Sequence, residues 1–305
     1  MKEAKQLRIY LDNHLQRRVA QGKHNFLGHV VGAFEGIGWR VEICPDDDPD
    51  LLRARTLPGH SLFNMLAPVT ENGLTFRLSY VFPFWKIEKT GTRWEFESAG
   101  APYDPRQVDP DQAKSFFNNA KNRLFPEWQN TPSSQDFIYV PLQGQLLQKR
   151  AHQSMSPIDM VRKTAVHHPD SQVLITLHPK ETYSREELSV LDKTVAGFPL
   201  ARISTKSSAL LIPHASKIVT QNSSIAFTGM FFEKPAFLFA QSDFHHIATN
   251  IIGTVNDGTF STTPPSTSDF QKYPFWFLQM NSINAGRDDV RTRILHRVEQ
   301  LGWKL

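Results

Sequence analysis

Phe137-Ile-Tyr-Val-Pro-Leu142, Gln172-Val-Leu-Ile-Thr-Leu177 and Lys217-Ile-Val-Thr220 are short apolar runs rich in β-branched residues. Runs of this length and composition read as strands buried on both faces. A helix signal follows each of them. After the first, Ser156-Pro-Ile-Asp159 supplies a serine N-cap, a proline at the first helical position and an acid at the third, and the pattern runs to about His167 before Pro169. After the second comes a helical stretch over 184–196. After the third, the turn Gln221-Asn-Ser-Ser224 leads into a small-residue helix over 225–232, and Pro235-Ala-Phe-Leu-Phe239 adds another strand-like run. Strand and helix alternating at such short spacing predict a parallel α/β layer.

Outward from this region the pattern is less regular. Residues 4–20 place Leu7, Tyr10, Leu11, Leu15 and Val19 at helical spacing and predict an amphipathic helix. A second helix is expected over 26–36, ending at Gly36-Ile-Gly38, then a strand Trp39-Arg-Val-Glu-Ile-Cys44 and an acidic turn Asp46-Asp-Asp-Pro-Asp50. Residues 75–82 read as a strand, followed by the aromatic cluster Phe84-Trp85 and Trp94. Residues 100–110 read as loop, 111–124 as helix and 126–134 as linker. Residues 254–269 are Thr, Ser and Pro-rich loop, and 288–301 form a closing amphipathic helix. No internal repeat is visible.

Composition narrows the class. The chain has 305 residues, 40% of them hydrophobic, enough to fill real cores and too many for a disordered chain. One cysteine, Cys44, makes neither an internal disulfide nor a Cys-based zinc site. No apolar run reaches about 18 residues, so no membrane span is expected. The polar start Met1-Lys-Glu-Ala-Lys-Gln6 does not read as a secretory signal, and a cytoplasmic protein is expected. Thirty-four Lys and Arg against thirty Asp and Glu leave only +4, with the densest basic groups at Arg17-Arg18 and Lys149-Arg150. That balance predicts no nucleic-acid partner, and it suits an anionic substrate or a peripheral membrane surface.

Ligands of open parallel sheets gather at the carboxyl ends of the strands. Three polar clusters fall there: Gln143-Gly-Gln145, His178-Pro-Lys180 and Asn222-Ser-Ser224. The last places two hydroxyls at a helix start, where free N–H groups and the helix dipole suit a phosphate; a serine N-cap without ligand is the simpler reading. His178 at a strand end can donate a ring hydrogen bond to a phosphate or a base. His167-His168 and His245-His246 are adjacent pairs without the spacing of a metal face, so no metal site is expected. No Gly-x-Ser-x-Gly, His-Glu-x-x-His or Walker loop occurs. The glycines of 32–38 precede a strand and make a poor dinucleotide fingerprint.

The runs Ile138-Tyr-Val-Pro-Leu-Gln143, Val173-Leu-Ile-Thr-Leu-His-Pro179 and Ile218-Val-Thr-Gln-Asn-Ser-Ser224, continued to Glu233-Lys-Pro235, resemble capsule polysaccharide biosynthesis proteins. These include the bacterial Kdo transferases of capsule and lipopolysaccharide assembly. The resemblance covers residues 137–247. It implies an α/β, GT-B-like fold of two Rossmann-like domains with a cleft between them. Residues 1–134 would form the acceptor-side domain and 135–270 the nucleotide-sugar-binding domain, with 271–305 packing back on the first. It further implies a glycosyltransferase with a nucleotide-sugar donor, CMP-Kdo among the candidates, a glycan or glycolipid acceptor, no cofactor, and peripheral association with an inner-membrane assembly complex. In that family a His-Pro motif and a Ser-Ser or Ser-Thr motif bind the CMP part of the donor. Carried over, His178, Pro179, Lys180, Asn222, Ser223, Ser224 and Thr228 become the nucleotide-binding set.

Two departures bear on catalysis. The family places an acid shortly after the glutamine of its first motif, whereas Gln143-Gly-Gln-Leu-Leu-Gln-Lys-Arg150 has none. It carries Gly-Phe-Glu on the helix after the serines, with the Glu on the ribose, where this chain has Ala226-Phe-Thr228. Gln143, Gln145 and Asp159 are the catalytic candidates, with Asp104 and Asp136 as further acids. Either another acid substitutes, or the donor differs, or the protein is a catalytically inactive nucleotide-sugar binder or assembly partner.

Overall fold

The computed structural model describes residues 5–128, 137–251, 260 and 263–305. Asp136 and the linker from residue 129 onward lie outside them, as do 252–259 and 261–262 of the Thr/Ser/Pro-rich region. The chain divides into two compact units, residues 1–101 with 277–305, and residues 102–276.

The first unit is built on a six-stranded sheet. Its strands are β1 (Gln6–Leu11), β2 (Arg40–Pro45), β3 (His60–Asn64), β4 (Gly73–Leu78), β5 (Phe84–Glu88) and the chain's last strand, β12 (Ile283–Asn284), in the order β12-β5-β4-β3-β1-β2. β1 to β4 run parallel, and β5 and β12 join antiparallel. The helix predicted over 4–20 is therefore half wrong: its first part is β1, the strand between β2 and β3, and only Asn13–Ala20 is helical. Leu7 and Leu11 are four residues apart, which satisfies both one helical turn and two strand periods. Ile9, between them and equally buried, settles the period at two. Asp12 then starts the helix by accepting the Leu15 N–H at 2.7 Å.

The acidic turn at 46–50 is a helix start as well. Asp47 caps Asp48–Ala54, with Asp48 and Asp50 in the first turn where the dipole favours acids. Phe84-Trp85 belongs to β5, and Trp85 stacks on Phe26 with ring centroids 4.7 Å apart. The closing helix Val290–Gln300 buries Val290, Ile294 and Val298 in the same core as Leu7, Phe34 and Trp303.

The second unit carries β6 (Phe137–Pro141), β7 (Gln172–Thr176), β8 (Ala201–Ile203), β9 (Ala215–Thr220), β10 (Ala236–Leu238) and β11 (Thr249–Asn250), in the order β11-β10-β9-β6-β7-β8. Every pairing is parallel. The chain starts in the middle, steps outward to β8, then returns to the other side of β6. This is the doubly wound order, and it puts a topological switch point between β6 and β9.

The caps read from sequence are present. Ser156 accepts the Asp159 N–H at 3.2 Å, and Ser184 forms a full capping box with Glu187. A second box, Ser266 with Asp269, opens Thr267–Phe275, a helix whose first three residues fall in the stretch expected as loop. Five buried residues make β6 the sheet's centre. The helix Ser224–Met230 lies directly on β9: a Cβ on Gly229 would meet Ile218 Cδ1 at 2.3 Å, so any larger residue there would have to displace the buried Ile218 side chain.

Candidate functional site

Three loops leave the carboxyl ends of β6, β7 and β9, and they carry the predicted site residues. Across the switch point the Asn222 backbone N–H donates to Gln143 Oε1 at 3.4 Å. The Asn222 side-chain amide donates to the Gln241 carbonyl at 3.0 Å, and Gln221 Nε2 donates to the Met155 carbonyl at 3.1 Å. Gln221, Asn222 and Ser223 are buried. Gln143 is half-buried, while Gln145 is exposed and sits in the left-handed region at φ 60°.

Ser223 is the N-cap, and its Oγ accepts the Ile225 N–H at 3.3 Å. Ser224 is exposed, and Thr228 stands one turn along the same helix face, half-buried. The seven-residue helix is thus capped from within, and Ser224 is the exposed hydroxyl of its first turn.

His178 begins a tight turn. Its carbonyl accepts the Glu181 N–H at 3.2 Å, with Pro179 and Lys180 at the two central positions. The His178 N–H donates to the Tyr183 hydroxyl at 2.9 Å, and its Nδ1 accepts the Lys180 N–H at 3.2 Å. In the neutral ring the proton therefore resides on Nε2, which leaves that nitrogen as a donor. Pro179 and Lys180 are exposed.

Of the acids considered from sequence, Asp159 and Asp104 are occupied. Ser156 Oγ donates to Asp159 Oδ2 at 2.6 Å, and Arg162 pairs with Oδ1 at 2.9 Å. Asp104 holds Arg106 through both carboxylate oxygens, and that hydrogen bonding keeps its pKa below the usual range. Sequence reasoning missed two other acids, Glu181 in the loop after β7 and Glu187 in the first turn of the helix that follows it. Glu187 accepts the Leu146 N–H at 2.7 Å and the Ser184 N–H at 2.8 Å, and the Ser184 N–H in particular holds its pKa down. The Ser-x-x-Glu spacing was its signal. Glu181 lies against Gly144: a Cβ there would stand 2.5 Å from Glu181 Oε2. No local signal marks that contact.

Other clusters lead elsewhere. A cavity of about 330 Å³ in the first unit is bordered by Lys86, Glu88, Glu97 and Arg297. These charges are engaged by neighbouring groups: Lys86 Nζ donates to Ser98 Oγ and to the Asn281 carbonyl, both at 2.8 Å, and Arg297 binds both glutamates. The rings of His245 and His246 stack at 4.2 Å, and Nδ1 of His167 and of His168 each lie 2.9 Å from a carbonyl of their own helix. Among the described residues no three His, Cys, Asp or Glu side chains are placed to hold a metal ion.

Cys44 is half-buried at the end region of β2, and burial, helped by Glu42, pushes its thiol up to about 11. Its thiolate is scarce at neutral pH. Alkylation of the folded protein at pH 7.5 should be slow, and Cys44→Ser should bind nucleotide like the parent. Rapid labelling before unfolding would contradict this.

No family model matches the chain, and no curated protein matches it in sequence. Among solved structures it is similar to the beta Kdo 2,7 transferase of Thermosulfurimonas dismutans KpsC. The TM-score is 0.52 at 13% identity, covering 98% of this chain and 100% of that one. The fold is GT-B-like. The beta Kdo 2,4 transferase of the same KpsC gives a TM-score of 0.44 at 9% identity, over 87% of this chain and 89% of that one. A Methanocaldococcus jannaschii UDP-GlcNAc 2-epimerase in complex with UDP-GlcNAc and UDP gives 0.39 at 10% identity, over 97% and 100%. The resemblance read in the motifs of 137–247 thus extends, as a fold, along nearly the whole chain. No helix among the described residues is long and apolar enough to cross a membrane.

Proposed function

We propose that this protein is a glycosyltransferase of bacterial surface-polysaccharide assembly, taking a sugar from a nucleotide-sugar donor to a glycan or glycolipid acceptor. The observation that carries this reading is the meeting of Gln143 and Asn222 at the switch point of a doubly wound parallel sheet, beside the His178 turn. That is where such sheets hold nucleotides.

In this reading the second unit holds the donor, CMP-Kdo being the first to test, and the first unit serves the acceptor. His178 Nε2–H, Lys180 and the hydroxyls of Ser223 and Ser224 face the phosphate and stabilise the charge that develops as it departs. Pro179 shapes the turn that presents His178. Asn222 fixes the β9 loop against Gln143, and Thr228 offers a hydroxyl to the ribose where the family carries a carboxylate. No divalent metal takes part, and the working place is the cytoplasmic face of the inner membrane, with peripheral attachment to an assembly complex.

A second reading, a nucleotide-sugar binder without catalysis, is favoured by one observation: Asp104 and Asp159 are both tied up by arginine. Calorimetric titration with CMP, UDP, GDP and CMP-Kdo, in the presence of a chelator, tests the shared part. Saturable binding of one nucleotide class is expected, and binding of none would dismiss both readings.

A further inference from the structure

We propose that Glu181 is the carboxylate that takes the acceptor's proton, an inference that rests on the glycosyltransferase reading above. Transfer of a sugar to a hydroxyl needs a group to receive that hydroxyl's proton. The loop after β6, Gln143-Gly-Gln-Leu-Leu-Gln-Lys-Arg150, contains no acid. The tertiary structure brings one to it from the next loop.

Two glutamates reach residues 144–146 from the segment after β7. Glu187 is pinned by the backbone N–H groups of Leu146 and Ser184, so its lone pairs are committed to the fold. Glu181 is exposed, and its carboxylate has no hydrogen-bond partner among the described residues. It rests on the α-carbon of Gly144, where an added Cβ would meet Oε2 at 2.5 Å and Cδ at 3.0 Å. The φ of Gly144 is not in the left-handed region, so the backbone does not demand glycine there. What a side chain at 144 would occupy is the place of the Glu181 carboxylate.

The position of Glu181 is set by the turn that also sets His178. The two residues are its first and last members, closed by the Glu181 N–H on the His178 carbonyl at 3.2 Å. One turn therefore presents a ring N–H donor and a carboxylate acceptor beside the switch point. The acceptor oxygen forms a bond to the anomeric carbon while the bond from that carbon to the phosphate oxygen breaks. The hydroxyl proton passes to Glu181, and the bonding pair leaves with the nucleotide, whose growing charge His178 Nε2–H supports.

The test uses the full chain and a panel of CMP-, UDP-, CDP- and GDP-sugars with water as acceptor, following nucleotide release, alongside calorimetric affinity for the free nucleotide. Glu181→Gln should lower turnover by about a hundredfold or more, the usual range for losing a general base, with nucleotide affinity within about twofold. Gly144→Ala should fold, because the flexible carboxylate end swings aside, and should lose turnover in the same direction. Unchanged turnover in Glu181→Gln would overturn the assignment. So would loss of affinity in step with turnover, which would make Glu181 a binding residue, and so would parent protein that binds nucleotide without turning over any donor. If the parent binds no nucleotide, the glycosyltransferase reading itself falls, and Glu181 with it.

Discussion

Arg297→Ala is expected to destabilise the first unit by about 3–5 kcal/mol, the usual cost of leaving a buried charge without its partner. Glu88 ends β5 and is 5% exposed. The Arg297 guanidinium, from the closing helix, meets its carboxylate at 3.0 Å, binds Glu97, and donates Nε–H to the Ile87 carbonyl at 3.0 Å. β12 pairs only with Phe84 and Trp85, so Arg297 also serves the sheet edge beyond them.

Burial raises the pKa of Glu88, and Arg297 and then Lys86 oppose that rise. Removing Arg297 raises it further. An acid whose folded pKa exceeds its unfolded one binds its proton more tightly in the native state. Its unfavourable contribution is then full above the folded pKa and fades as pH falls towards the unfolded value. The deficit should therefore be larger at pH 7 than at pH 5. Urea melts followed by fluorescence, with Trp39, Trp85 and Trp303 in that unit's core, measure it at both pH values. A deficit below about 1 kcal/mol at pH 7 would place the pair among ordinary surface bridges.

Ser223→Ala combined with Ser224→Ala should weaken nucleotide binding by at least about tenfold, since a hydrogen bond to a charged group contributes roughly 1.5–3 kcal/mol and about 1.4 kcal/mol is a factor of ten. His178→Ala should weaken it as well, because Nε2 is the ring's outward donor once Nδ1 has accepted the Lys180 N–H. His245→Ala should not, its ring being stacked on His246 with Nδ1 2.7 Å from the Ser242 carbonyl. Ser223 also caps its helix, so the double variant should lose about 1 kcal/mol of stability whatever its ligand role. Calorimetry on folded variants separates the two effects. Unchanged affinity with only a lowered melting temperature would remove the serines from the donor site.

The local signals in this chain are those of period and cap. Ile138, Val140, Val173, Ile175 and Val219 are buried on a parallel sheet because continuous apolar runs of that length have no other place to go. Ser156, Ser184 and Ser223 cap helices because a short hydroxyl satisfies N–H groups only a few residues away. These are interactions between near neighbours, and the sequence by itself determined them. It failed where two periods coincide, as with Leu7 and Leu11 of β1, and where a cap looks like a turn, as at Asp47. Only the place of β1 between β2 and β3, and the burial of Ile9 that comes with it, decided between helix and strand.

The candidate site divides in the same way. His178, Asn222 and Ser223 were legible because each stands at the end of a recognisable strand. Their assembly was not. Gln143 and Asn222 are 79 positions apart and meet because β9 returns to pair with β6. Glu181 touches Gly144 because β7 pairs with β6 in a register that sets the two following loops side by side. Strand order and register come from burying both faces of a sheet at once, a property of the whole unit, and it is this that the tertiary structure alone decided.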